Sequence, residues 1–308
     1  MSELETSKLQ TGATPTHISL MLLIGIIYPL LFTLNNLAVS AGIPAIAFTF
    51  WQTLGASIIL LTIGMVRKEL PKWEWQYIKA YLVIGLTGIA APISLLAWLS
   101  TKLPVGVISV IVILSPPITY AIALGLRLER LKALRLVGIL FGFGGILLLI
   151  LPELNLPQSD MVWWLLLALL APTSFALTNN LAAIIRPPDS PAISFSCGLV
   201  SAAAIMLIPA MFVFDHVYII PDPSLWANLA ILGASIITCL MYILFLVLVK
   251  AAGPVFFSQF NYVVVIAGLG WGILLKNESY SLNVWFAAVL MLGGVAFLTW
   301  SSRQKNIP

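Results

Sequence analysis

The chain has 308 residues, of which 61% are hydrophobic and only 8% charged, with a mean hydropathy of +1.07. A soluble globular domain carries about 25% charged residues, so this composition excludes that class and specifies an integral membrane protein. The formal net charge of +4 and the pI of about 9.1 do not point to nucleic acid, because the basic residues flank apolar runs, where they set orientation and meet anionic lipid head groups.

Apolar runs of about 20 residues, each long enough to cross a ~30 Å hydrocarbon core as a helix, lie at about 18–40, 45–66, 77–100, 104–126, 134–151, 162–185, 192–214, 225–249, 254–275 and 283–301. They predict an all-α membrane protein of ten transmembrane helices joined by short loops. The first run carries Tyr28-Pro29 near its middle and Asn35-Asn36 beyond it. It exceeds the usual ~7–15 residues of a signal peptide's apolar region and therefore belongs to the architecture. Trp51-Gln52 stands in the second run, Trp98 in the third, and Ser115-Pro116-Pro117 with Tyr120 in the fourth. The sixth holds Pro172 and then Asn179-Asn180, the eighth Tyr242, and the ninth Gln259, Asn261, Tyr262 and Trp271. Cys197 and Cys239 fall inside apolar runs and read as small buried hydrophobes, so neither a disulfide nor a metal site is expected.

The basic residues test the span count. With the N-terminus inside, one side of a ten-span chain holds Lys8, Arg67, Lys68, Lys72, Lys79, Arg127, Arg130, Lys132, Arg135, Arg186, Lys250, Arg303 and Lys305, and the other only Lys102 and Lys276. Cytoplasmic loops carry the Lys and Arg excess, so a 13 to 2 division assigns both termini to the cytoplasm of a multi-pass plasma membrane protein, the inner membrane in a bacterium.

The two halves repeat one another. Thr33-Leu34-Asn35-Asn36-Leu37-Ala38 returns as Leu177-Thr178-Asn179-Asn180-Leu181-Ala182, 144 positions later. Pro44-Ala45-Ile46-Ala47-Phe48 matches Pro191-Ala192-Ile193-Ser194-Phe195 at 147, and Pro104-Val105 matches Pro254-Val255 at 150. Glu129 matches Glu278, and Gly144-Gly145 match Gly293-Gly294, both at 149. A collinear series of this kind marks a duplication. The expected organisation is a tail (1–17), a five-helix repeat (18–151), an outer linker (152–161), a second five-helix repeat (162–301) and a tail (302–308). Five is odd, so the second repeat enters from the opposite side. Inverted repeats are the usual basis of alternating access around a site near the midplane.

Each buried amide without a partner costs about 1–3 kcal/mol, which makes the duplicated Asn pairs candidates for a polar path. Pro29 and Pro172 stand at corresponding positions and are expected to kink their helices. Pro116 and Pro117 free carbonyls that need a partner in protein or a cavity. The candidate substrate-binding residues are Asn35, Asn36, Trp98, Ser115, Tyr120, Asn179, Asn180, Tyr242, Gln259, Asn261 and Tyr262. Hydrogen bonding between helices is the competing use of the same amides, and interfacial anchoring the competing use of the aromatics. Gly138/Gly142 and Gly268/Gly272 are spaced for close packing, within a monomer or across a homodimer.

Leu126-Arg127-Leu128-Glu129-Arg130-Leu131, followed by Leu136-Val137-Gly138 and Gly144-Gly145-Ile146-Leu147-Leu148, resembles the EamA-type carriers of the drug/metabolite transporter superfamily. Leu128 departs from the Gly often found there. The resemblance implies ten helices in two five-helix repeats around a central cavity, and export of amino acids or other small metabolites. No Asp or Glu lies near the centre of a span, so transport of a neutral or zwitterionic solute without ion coupling is expected. Carriage of lipid-linked or nucleotide-sugar cargo, or of organic cations, is the alternative within transport, although no basic residue lies deep in a span. A scaffold or sensor would leave the repeats unexplained. His17 and His216 lie outside the runs and no paired intramembrane carboxylate exists, so neither catalysis nor a cofactor is expected. The expected partners are a small solute and membrane lipid.

Overall fold

A computed structural model describes residues 14–128, 131, 133–150, 161–187, 190–218, 225–252 and 260–303. The regular elements in them are helices: α1 (Pro15–Ile27), α2 (Leu30–Ser40), α3 (Ala45–Arg67), α4 (Trp75–Gly85), α5 (Ala91–Leu99), α6 (Val105–Val112), α7 (Ser115–Gly125), α8 (Ala133–Ile150), α9 (Met161–Ala168), α10 (Leu170–Ile185), α11 (Ala192–Val213), α12 (Leu225–Ala252), α13 (Phe260–Lys276) and α14 (Leu282–Arg303), with a π-helical turn, Leu86–Ala90, between α4 and α5. Seven segments are long and apolar enough to cross a membrane by length and composition. Three shorter apolar helices, Leu136–Leu149, Phe260–Lys276 and Leu282–Ala296, stand beside them. Helices are the required solution, since hydrocarbon offers no partner to a backbone N–H or C=O.

Four spans are interrupted midway. Pro29 lacks an N–H and its ring displaces the carbonyl four residues earlier, and the first span breaks there between α1 and α2. The fourth breaks at Ile113-Leu114, leaving Pro116 and Pro117 in the opening turn of α7, where proline is tolerated. The sixth breaks at Leu169, three residues ahead of Pro172, which likewise sits in the first turn of α10. The hinge thus lies upstream of the proline that causes it. In the third span Pro92 follows the π-helical turn, an interruption that the sequence reading did not include.

Corresponding helices run in opposite directions. The Ser194 hydroxyl at the start of α11 donates to the Leu70 carbonyl just beyond the end of α3, at 2.8 Å, so these repeat mates are antiparallel. Glu278, just beyond α13, caps the start of α6, its Oε1 accepting from Val105 N at 2.8 Å and its Oε2 from Gly106 N at 3.3 Å. A carboxylate at a helix N-terminus meets both orphan donors and the positive end of the helix dipole. The Tyr280 hydroxyl donates to the same carboxylate. Burial, followed by that hydrogen bond and the carboxylate's charge, raises the Tyr280 pKa, which keeps the hydroxyl protonated as a donor.

The most extensive helix contacts map onto one another when the halves are exchanged. Repeat mates meet as α8 with α14, α3 with α11 and α6 with α13. The α3–α12 contact has its counterpart in α11–α4, α7–α10 in α13–α1, and α2–α12 in α10–α5. At the crossing of α3 and α11 the Ser57 and Ser201 hydroxyls share a hydrogen bond of 2.6 Å. The glycine pairs serve contacts inside the chain. A Cβ on Gly294 would lie 2.6 Å from the Gly138 carbonyl, one on Gly142 3.2 Å from Pro117, and those on Gly268 and Gly272 would strike Ser109 and Tyr280. The outer surface is apolar, with Leu140, Phe143, Leu147, Phe286 and Val289 exposed towards the lipid.

Gly294→Ala is expected to destabilise the α8–α14 pair by about 1–3 kcal/mol, because a backbone carbonyl cannot move aside as a side chain can. Gly270→Ala, with open space around its Cβ, is expected to be neutral or stabilising by up to about 1 kcal/mol. Thermal unfolding midpoints of the two variants in detergent check this contrast.

Candidate functional site

Three of the four interruptions, in the first, third and fourth spans, line a cavity of about 380 Å³, and α10 beyond the sixth-span break supplies a further wall. Ligand pockets run from about 300 to 1,000 Å³, so the volume suits one small metabolite. Both halves supply the walls. Tyr28 and Leu31 come from the first break, Gly88, Ile89 and Ile93 from the π-helical turn and α5, and Val112, Ser115 and Pro116 from the fourth-span break. The second half contributes Phe175, Thr178, Asn179, Ala182, Phe195, Ser196, Thr238, Met241, Tyr242, Phe260, Asn261 and Val264. The lining runs from the bundle centre to the end where α10 stops and α11 starts, and there it includes Arg186.

Of the residues singled out from sequence, Ser115, Pro116, Asn179, Tyr242 and Asn261 meet at this cavity. Asn179 is exposed to it and donates to Thr119 Oγ1 at 3.2 Å. Asn180 turns the other way, is 4% exposed, and donates to the carbonyls of Thr119 at 3.1 Å and Ala176 at 2.9 Å, tying α10 to α7. Adjacent residues on a helix face about 100° apart, so only one of the pair reaches the cavity. In the first half neither Asn lines it. The Asn36 amide donates to the Ser100 carbonyl and ties α2 to the end of α5. Asn35 is 1% exposed, and neither amide atom has a hydrogen-bond partner.

Tyr120 is buried away from the lining, and Tyr262 packs against the large core cluster. Trp98 stands edge-on to Trp164 with centroids 5.3 Å apart, and Lys102 lies over that second ring at 5.7 Å, an end anchor outside the cavity. Trp51 Nε1 donates to the Tyr218 carbonyl and Trp271 Nε1 to that of Ile26. Gln259 and Glu129 lie outside the described residues. Gln52, fully buried, donates to Thr238 Oγ1 at 2.8 Å and so braces a lining residue from behind.

Two parts of the cavity escaped sequence reasoning. The π-helical turn presents Gly88, whose missing side chain lets α10 approach, since a Cβ there would meet Thr178 Cγ2 at 2.7 Å. The Ser174 hydroxyl donates to the Thr87 carbonyl at 2.6 Å and Thr178 Oγ1 to Thr87 Oγ1 at 2.8 Å. Sequence reasoning gives Arg186 only the role of an orienting charge. The signal that finds it is the helical stripe 175, 178/179, 182 and 186, which extends the face of Asn179 by two turns.

A duplicated bundle whose broken spans enclose one small-molecule cavity defines the class of membrane carriers. The EamA-like transporter family model matches residues 16–151 and again 162–300, and the chain belongs to that family. No curated protein matches the chain. A solved crystal structure with 18% sequence identity superposes with a TM-score of 0.61, covering 94% of this chain and 99% of its own, which supports the fold.

Cysteine substitutions test the cavity. Cys197 and Cys239 are buried, at 0% and 3% exposure, and leave a quiet background. Thiol reactivity follows exposure, so Asn179→Cys, Ser115→Cys and Asn261→Cys are expected to react with a water-soluble maleimide at least about ten-fold faster than Asn35→Cys or Asn180→Cys.

Proposed function

We propose that this protein is a secondary carrier that exports small neutral or zwitterionic metabolites, amino acids foremost, by alternating access and without ion coupling. The observation that carries the reading is an asymmetry between the two ends of the bundle. In the first half α2 packs on α5, sealed by the Asn36–Ser100 hydrogen bond. The corresponding pair, α10 and α12, makes no comparable contact among the described residues. Asn180, the repeat mate of Asn36, is engaged with Thr119 instead.

The bundle is therefore closed at the Glu278 end and open at the Arg186 end. In an inverted repeat the opposite arrangement is the same set of contacts with the halves exchanged, which supports two conformations of similar energy. The bias of basic residues supports assigning the open end and both termini to the cytoplasm. Uncoupled transport is supported by the lining itself, in which no described residue is a carboxylate. Arg186 is the one cation among the described lining residues, which argues against doubly charged phosphate cargo.

The test is solute flux in reconstituted vesicles. Amino acids are expected to exchange down their own gradient with no imposed pH or sodium gradient, and a strict requirement for either would refute the uncoupled reading. Asn36→Ala removes one hydrogen bond from the closed end, worth about 1 kcal/mol. It is expected to shift the conformational ratio about five-fold towards opening at the Glu278 end, read in sealed vesicles as increased labelling of a cysteine placed at Leu31 by a membrane-impermeant reagent added only from that side.

A further inference from the structure

Arg186 is held in one orientation by described residues that carry no negative charge. Pro187 disfavours helical conformation in the residue before it, and α10 ends there with Arg186 at φ −68° and ψ 125°. The guanidinium does not fold back onto the helix carbonyls. Its Nε donates to Ser190 Oγ at 2.8 Å and its Nη2 to the Ser190 carbonyl at 3.2 Å. Ser190 is fixed in turn by its own hydroxyl bond to the Pro187 carbonyl at 2.8 Å. The Phe195 ring lies beneath, with Cζ 5.0 Å from its centroid.

These contacts close the side-on fork of the guanidinium and set its plane. Of its five N–H donors three are left over, among them the end-on pair on Nη1 and Nη2. Arg186 is exposed, lines the cavity and is the one charged residue among its described lining. Its contacts among the described residues are with Ser190 and Phe195, neither of them acidic. A planar, oriented fork with a single positive charge matches a carboxylate bidentately.

We propose that Arg186 is a specificity-determining residue that binds the carboxylate of the carried solute at the open end of the cavity. The solute is a monocarboxylate or zwitterion whose apolar body lies against Phe175, Tyr242 and Phe260. A phosphate dianion would need a second cation, which the described lining lacks. This inference rests on the carrier reading for its biological sense, but binding tests it separately from flux.

The experiment measures binding of three matched probes to the full-length protein in nanodiscs: leucine, 4-methylpentanoate, which lacks the amine, and 3-methylbutylamine, which lacks the carboxylate. The two carboxylates are expected to bind wild type at least about ten-fold more tightly than the amine, as a charge-assisted hydrogen bond implies. Arg186→Gln is expected to abolish that preference while leaving amine binding unchanged. Arg186→Lys should retain a part of it, since an ammonium lacks the fork. Phe195→Leu should weaken carboxylate binding several-fold by freeing the guanidinium plane.

Equal binding of all three probes by wild type, no carboxylate binding, or tighter binding of inorganic phosphate would overturn the proposal without any variant having to fold. Undiminished carboxylate preference in Arg186→Gln would do the same. Carboxylate binding through Arg186 without vesicle flux would uphold the anchor and sink the carrier reading. Flux of the amine with no carboxylate preference would do the reverse.

Discussion

A backbone carbonyl in hydrocarbon needs a donor, and in this chain that requirement shapes the whole centre of the bundle. Four of its spans are broken or bulged midway, which no lipid-facing helix could sustain alone. The first half's irregular stretches are met largely by side chains of the second. Trp271 donates to Ile26 beside the first break and Ser174 to Thr87 in the π-helical turn, while Asn180 ties α10 to the Thr119 carbonyl within α7. The breaks create the cavity, and the polar groups that repair them hold the halves together across it.

That division of labour explains why the duplicated Asn pair is put to unequal uses. Sequence symmetry suggests equivalent roles for Asn35-Asn36 and Asn179-Asn180. One residue of the second pair faces the cavity and the other bridges α10 to α7, whereas in the first pair Asn36 seals α2 against α5 and Asn35 is buried. A perfectly symmetric arrangement would be closed, or open, at both ends at once. The inequality of the pairs is what the proposed one-sided opening of the cavity requires.

The repeat was legible from sequence because matched prolines, glycines and Asn pairs survive at offsets of 144 to 150, and because hydrophobicity and basic residues report the solvent directly. Kink existence was legible too, since proline acts locally. The exact hinge was harder to read. Pro172 breaks its span at Leu169 because the proline ring displaces a carbonyl one turn upstream. Side-chain direction was not legible where two neighbours are chemically identical, as with Asn179 and Asn180. Tyr120, Tyr262 and Trp98 have the composition of a cavity wall, but which helix face meets the cavity depends on packing between spans distant in sequence.

Arg186 shows the most instructive gap. A cation at a helix end next to two prolines satisfies the positive-inside rule so well that no further role is sought for it. Yet orientation requires only a charge near the interface, and many side-chain directions would serve. It does not require that Ser190 occupy the side-on fork, that Phe195 underlie the plane, or that the stripe from Phe175 through Asn179 and Ala182 end at this residue. A charge needed only for topology would be solvated in many rotamers, as long basic side chains usually are. Holding the guanidinium in one of them forfeits side-chain entropy of up to about 2 kcal/mol. That restriction becomes useful when an incoming carboxylate finds the fork already set.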